Sequence, residues 1–301
     1  MEFCSKLSCI VLCCFLVGNG RGVAQEVVYR DYTRQEAALL DSLKKEGVLP
    51  LFKGMRALRQ QAQGVKESTP VNIVPRRAGK REMTPENIIK ERRASVLTVN
   101  KYQGVTTRPD MVYGWATAVV LTADGVCVTN FHVFWELLDP AAKLNPADSV
   151  IFVATEDGRA YPITEILSFN KAADMAFFKI DIRGDVLTPM PLGDDLPAGA
   201  NVHLLSNPEG YPYAYTHGRV SRTIALNPGD PFSRRMEMTA DFAKGSSGGP
   251  IMDDRGNMVS MVSSIRAIYF SNQPPYHLQM NVKLTIPVSS LRRVIKSPKQ
   301  K

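Results

Sequence analysis

Residues 244–250 read Lys-Gly-Ser-Ser-Gly-Gly-Pro, a pair of hydroxyls set among glycines between two apolar runs. Glycine lets a backbone bend tightly enough to expose a hydroxyl and turn several N–H groups toward one point. Such a turn suits a nucleophilic serine, with Ser247 the candidate and Ser246 its neighbour. Gly245, Ser247 and Gly249 also fit G-x-S-x-G, the strand-to-helix elbow of another hydrolase architecture. A plain glycine-rich hairpin is the third reading. An elbow must run straight into a helix and be followed by an acid and a histidine. Here Pro250 to Met252, a turn at 253–257 and Met258 to Val262 read as strand, turn, strand. Only His277 lies downstream, beside prolines, so the elbow is excluded.

A nucleophilic serine needs a base, and histidine titrates in the useful range. His132 ends the run Cys127-Val128-Thr129-Asn130-Phe131-His132, just past a strand end where a side chain can leave the sheet. The base needs an acid to hold its orientation. Asp174 leads the apolar run Met175 to Ile180, where a carboxylate can be set down at the edge of a core. His203 and His217 fall in strand and turn positions and read as structural. Cys127 sits on an apolar strand and reads as a buried thiol. No cluster has metal-ligand spacing, so neither metal nor cofactor is expected.

The elements that must hold these residues are short strands. From Val96 onward, six apolar runs (96–99, 116–121, 126–129, 150–154, 161–169, 175–180) are followed by a Gly-, Pro- and Asp-rich connector over about 183–199. Six more follow (202–206, 213–220, 235–239, 250–252, 258–265, 280–286), which implies an all-β chain of two packed barrels or one large sandwich. Ahead of them, residues 33–64 carry helical periodicity broken at Gly47 and Pro50, and 63–83 turn polar like a linker. Thr84-Pro85-Glu86 opens a short helix with a capping hydroxyl and Pro at the first position. Ser289-Ser290 leads another short helix over 289–296.

Composition bounds the rest. The 301 residues are 44% hydrophobic and 22% charged, an ordinary globular balance. The net charge of +8 comes partly from a basic stretch around Arg76 to Arg93 and another from Arg292 to Lys301. Neither is interleaved with aromatics, so a solvated linker and tail is the expectation and no nucleic-acid partner is. Binding of polyanions through these stretches is a separate reading, testable by its salt dependence. Lys6, the apolar run Cys9 to Val17 and the small residues ending at Ala24 have the proportions of a signal peptide over 1–24. The run is too short to span a bilayer, so the chain processed after Ala24 is expected to be exported, periplasmic or extracellular, without a transmembrane segment. Four of the five cysteines lie in that leader; only Cys127 is left, so no internal disulfide forms.

Several blocks now carry a family resemblance. Gly114 to Val120 with Thr129-Asn130-Phe131-His132-Val133, Asp174 to Ile180, Ser206 to Gly210 with Gly218 to Ser221, and Gly245 to Pro250 together resemble trypsin-like serine peptidases, closest to the HtrA-like branch. The resemblance covers about residues 84–296 in the order His, Asp, Ser. It implies two six-stranded antiparallel barrels of the chymotrypsin type, the first about 95–182 and the second about 199–287, within a peptidase region of 84–301 behind a helical extension and basic linker at 25–83. It implies a serine endopeptidase acting on polypeptides, with His132 the base, Asp174 its orienting acid, Ser247 the nucleophile, and the N–H groups of Gly245 and Ser247 an oxyanion hole. Asp241, six residues before Ser247, falls where trypsin-like enzymes line the specificity pocket, and Val262-Ser263-Ser264 where substrate pairs with the wall. The family's Asn before the nucleophile is Ser246 here, and an activation by a new N-terminus through an acid at that place is not expected. No PDZ domain is expected after the barrels. The N-terminal extension leaves room for oligomerisation. A catalytically silent peptide-binding module on the same fold is the alternative function.

Overall fold

A computed structural model describes residues 27, 29–104, 109–145, 148–209 and 211–297. The expected leader, four cysteines and last basic residues lie outside these. The chain divides into residues 1–31 and 32–301. The few described residues of the first unit form no regular element.

The second unit opens with two helices, α1 (Gln35–Glu46) and α2 (Met55–Ala62), and α1 ends on Gly47 in the left-handed region, φ 64°. A two-residue strand β1 (Val71–Asn72) follows, then α3 (Pro85–Arg92), capped by the Thr84 hydroxyl on the Asn87 N–H. The first barrel comprises β2 (Val96–Gln103), β3 (Met111–Val120), β4 (Val126–Thr129), β5 (Asp148–Ala154), β6 (Ala160–Asn170) and β7 (Met175–Ile180), with the short helix α4 (Trp135–Leu138) after β4. It closes in the order β2-β3-β4-β7-β6-β5. The second comprises β8 (Asn201–Ser206), β9 (Ala214–Ala225), β10 (Arg234–Met238), β11 (Pro250–Met252), β12 (Met258–Tyr269) and β13 (Leu278–Pro287), closed as β10-β13-β12-β11-β8-β9. All pairs within the barrels are antiparallel. The fold is therefore all-β with two six-stranded barrels, and the sandwich is excluded. The chain finishes with α5 (Val288–Val294) and β14 (Ile295–Lys296), which pairs in parallel with β1.

Period-two alternation builds the core. On β3, Ala116, Ala118 and Val120 fill the first barrel while Val119 points the other way. On β7, Phe178 and Ile180 face inward, and Met175 and Phe177 join Leu205, Met252, Met261 and Ile286 between the barrels. The junction is thus an apolar seam with the candidate residues along its rim.

Two features depart from the sequence reading. Residues 63–83 are fastened rather than free: Val71 and Ile73 are buried, the Ile73 N–H donates to Lys296 O, and Asn257 exchanges hydrogen bonds with Gly79 at 2.6 and 3.0 Å. The β12–β13 hairpin also runs further than its buried portion, because residues 266–282 pair with each other while having no buried face. The helical extension is tied to the first barrel by side chains that imitate backbone. Gln61 both donates to Ile166 O and accepts from Ile166 N–H, at 3.0 and 2.8 Å, and Glu36 accepts from the Gly114 N–H at 2.6 Å.

Candidate active site

His132 lies in a single 3-10 turn, Phe131–Phe134, directly after β4. The β4–β7 ladder pairs Thr129 with Ala176, so continuing the antiparallel count sets Asp174 beside the His132 turn. Asp174 closes a tight turn, its N–H donating to Lys171 O at 3.1 Å, and takes φ 54°. That left-handed conformation is tolerated by Asp better than by most residues. Its carbonyl is held by the Asn130 amide at 2.9 Å. Ser247 comes from the second barrel, on the turn between β10 and β11. There Ser246 N–H reaches Ala243 O and Gly249 N–H reaches Ser246 O, with Gly245 and Gly248 at φ 91° and 86°.

The three meet across the seam. His132 Nε2 is 2.9 Å from Ser247 Oγ, and His132 Nδ1 is 3.0 Å from both carboxylate oxygens of Asp174. The carboxylate also accepts from the His132 N–H at 3.1 Å and from the Ser263 hydroxyl at 2.7 Å. The imidazole is 47% exposed while the carboxylate is 17% exposed, so the base opens to solvent and the acid sits behind it.

The serine turn is fixed from the other barrel by Thr117 on β3. Its N–H donates to Ser247 O and its hydroxyl to Gly245 O, both at 2.9 Å, and the same hydroxyl accepts from the Asn207 N–H at 3.0 Å. Gly248 is required by contact: an added Cβ would stand 2.1 Å from Thr117 O and 2.4 Å from the Thr129 hydroxyl. Lys244 O is engaged by the Glu209 N–H at 2.8 Å. Because C=O and N–H of a trans peptide point oppositely, the Gly245 N–H is turned away from the Glu209 loop. Among the described residues neither the Gly245 nor the Ser247 N–H has a hydrogen-bond acceptor.

Ser246 is wholly buried and takes a hydrogen bond from the Ser206 hydroxyl at 3.0 Å, facing away from the histidine side. Val262 has both backbone groups engaged by Gly248 and Gly249, which leaves Ser264 as the first position of β12 past that pairing. Asp241 is ion-paired with Lys283 and its carboxylate is 83% exposed. The geometry brings together His132, Asp174, Ser247, Gly245 and Ser263, whereas Asp241 stands apart on its ion pair. Sequence reading missed Thr117, Asn207 and Arg235. Arg235 Nη2 donates to Ala172 O at 2.7 Å and so ties the second barrel to the acid's turn. Arg235 is buried, a placement that the sequence Arg234-Arg235 at the start of β10 does not reveal. His203 bonds elsewhere, to the Tyr215 hydroxyl and Asp254, each at 2.9 Å. Cys127 is fully buried, and burial pushes its thiol pKa up. Among the described residues no group of three or more His, Cys, Asp or Glu side chains converges as a metal site requires.

Two closed barrels with a serine, histidine and aspartate at their seam define the architecture of the two-barrel serine peptidases. Residues 116–261 match the model of the trypsin-like peptidase domain family. The relatives it resembles include Do-like proteases and DegP-like serine endoproteases. The chain is 28% identical over 189 residues to Protease Do-like 5, chloroplastic, of Arabidopsis thaliana, covering 61% of this chain and 57% of that protein. It is 28% identical over 169 residues to the putative serine protease HhoA of Synechocystis sp., covering 54% and 40%. A probable periplasmic serine endoprotease DegP-like of Marinomonas sp. is 29% identical over 146 residues, covering 48% and 29%. The chain thus spans between about three tenths and six tenths of these relatives' lengths. Among solved structures, the HtrA-type protease AlgW with decapeptide matches with TM-score 0.53 at 21% identity, covering 71% of this chain and 69% of that one. Deg5 matches with TM-score 0.52 at 21% identity, covering 69% and 90%. These two show the shared fold.

Proposed function

We propose that the protein is an exported serine endopeptidase that cleaves polypeptides through an acyl-enzyme intermediate. The observation that carries this reading is His132 placed between Ser247 Oγ at 2.9 Å and the Asp174 carboxylate at 3.0 Å. Ser247 Oγ attacks the scissile carbonyl carbon and its proton passes to His132 Nε2. The Nδ1–H is held by Asp174, which fixes the tautomer and stabilises the imidazolium. Negative charge on the former carbonyl oxygen is met by the N–H groups of Gly245 and Ser247, both without a hydrogen-bond acceptor among the described residues. The tetrahedral intermediate collapses as the amine leaves with the proton from Nε2, giving an ester on Ser247. Water then attacks the ester with His132 again as base, and the acid product departs.

The Ser263 hydroxyl on Asp174 and the fastening of Lys244 O to Glu209 support this reading over a silent binding module. The first steadies the acid and the second leaves the Gly245 amide free for an oxyanion. Export rests on the leader-like segment before residue 25 and on the periplasmic relative. Among the described residues no helix is long and apolar enough to cross a membrane. The test is hydrolysis of casein by the wild type against Ser247→Ala. Wild-type cleavage that the substitution abolishes supports the proposal; equal cleavage by both proteins, or none by either, overturns it.

A further inference from the structure

The helix that continues the histidine turn is too short to hold itself. α4 (Trp135–Leu138) is one turn long and follows the Phe131–Phe134 turn without a break. A single helical turn fixes several dihedrals for one hydrogen bond and is unstable alone. Its position nonetheless sets where the His132 backbone stands. Two cations that the proposed chemistry does not use grip it from separate elements. Arg59, on α2 of the helical extension, donates through Nη1 to Glu136 O at 3.2 Å and Ala142 O at 2.8 Å. Its Nη2 donates to Pro140 O at 3.2 Å. A helix end leaves such carbonyls unpaired, and a cation there complements the negative end of the helix dipole. Met55, Leu58 and Ala62 of α2 share one core with Leu137 and Leu138 of α4, so the guanidinium is carried on a packed helix.

The second cation is Lys101 on β2, which is 2% exposed. Its Nζ lies 3.0 Å from Glu136 Oε2 and 2.7 Å from Asp148 Oδ2. The other oxygen of Asp148 accepts from Gln103 at 2.8 Å and from the Tyr113 hydroxyl at 3.1 Å. Trp115 lays its ring 4.0 Å from the same Nζ. The indole N–H then donates at 3.2 Å to the carbonyl of Val133, the residue after His132. Lys101 thus touches α4 through Glu136 and the histidine turn through Trp115. A buried ion pair is a weak source of stability, because desolvation offsets the attraction and apolar residues of similar size often serve as well. The groups that this one fixes adjoin the base.

We infer that Arg59 and Lys101 are positioning residues for His132, bracing α4 so that the imidazole stays within reach of Ser247. Asp174 orients the ring; the brace places the backbone from which the ring hangs. Through Arg59 the helical extension is a working part of the site rather than an arm that can be discarded. Movement of the turn lengthens the 2.9 Å contact between His132 Nε2 and Ser247 Oγ, and a misplacement of about 1 Å can cost about a hundredfold in rate. The consequence in rate rests on the peptidase reading, but the brace itself can be read on His132 without turnover.

The experiment uses the full-length chain carrying Arg59→Met, Glu136→Ala, Glu136→Gln or Lys101→Met. Labelling of Ser247 by a small fluorophosphonate, well below each variant's Tm, should slow at least about tenfold in Arg59→Met and Glu136→Ala. On a peptide substrate kcat should fall while KM changes by less than about twofold. Glu136→Gln keeps an acceptor for Lys101 and should retain most of the rate. Lys101→Met joined to Glu136→Ala should be no slower than the slower single variant, the non-additivity expected of one shared contact. Lys101→Met strips Asp148 of its cation; should that variant not fold, Arg59→Met carries the test, since its side chain is only half-buried. By NMR of histidine-labelled protein, the Nδ1–H of His132 should exchange with solvent at least about tenfold faster in Arg59→Met, with His203 unchanged as the control. Unchanged Nδ1–H exchange in Arg59→Met overturns the inference, as does unchanged labelling in both Arg59→Met and Glu136→Ala. A rate loss no larger than the fraction unfolded, or one that Glu136→Gln shares in full, overturns it too. Failure of the peptidase reading shows separately, as a wild type that takes no fluorophosphonate while the Nδ1–H difference persists.

Discussion

Ser247 is aimed by groups that do not themselves react. The Thr117 hydroxyl donates to Gly245 O and accepts from Asn207, so one buried oxygen sets the carbonyl next to the proposed oxyanion donor. Thr117→Val leaves these partners unsatisfied and should cost about 1–3 kcal/mol of stability. Its turnover should fall by more than its KM rises, measured on a peptide substrate. Ser263→Ala removes one of the bonds orienting Asp174 and should lower kcat while leaving the fold intact by circular dichroism. At this scale much was legible. Serine chemistry demands a base and an acid, and only His132 and Asp174 stand at strand ends in suitable places. Thr117 was not legible, because a threonine within an apolar strand carries no local mark of its partners, which are about ninety or more residues away in the chain. Nor could spacing tell that Asp241 is neutralised by Lys283, since that pair forms only when β13 closes the barrel beside β10.

The strands converge on the site through glycine and register rather than through long buried elements. Gly248 sits at a close approach of the two barrels, with Thr117 O in the way of any side chain. Gly248→Ala should therefore destabilise the protein by more than about 4 kcal/mol, a magnitude reserved for a backbone forced to move. A urea melt reads it, and an unchanged midpoint would mean that the close approach is not obligatory. Element types were readable because apolar runs punctuated by turn residues leave little choice, and the ends of β4, β7 and β11 follow directly from that pattern. The lengths of β9, β12 and β13 were not, because their outer halves are paired without being buried and so lack an apolar face to reveal them.

Across the whole molecule, the linker, both barrels and the last helix are stitched together. Asp254 joins this network, accepting from His203 Nε2 at 2.9 Å and from the Asn201 amide at 3.1 Å. Burial raises its carboxyl pKa, but those hydrogen bonds outweigh it and hold the group below the ordinary carboxylate value. A carboxylate lowered in the folded state stabilises above its unfolded pKa and loses that contribution as pH falls through the folded one. Asp254→Asn should thus lower the Tm at neutral pH, with the difference from wild type shrinking below about pH 4. A pH-independent difference would locate the effect elsewhere. Cys127, raised by burial, should resist iodoacetamide in the native protein and react on unfolding, as peptide mapping would show.

The central claim is that Ser247 is the nucleophile, activated by His132 across the seam. It is tested most directly by mass-spectrometric mapping of the protein after treatment with a fluorophosphonate. The account predicts one adduct, on Ser247 Oγ, its formation slowed at least about a hundredfold by His132→Ala. An adduct on Ser246 or another residue, or labelling of Ser247 that is indifferent to His132, would contradict it.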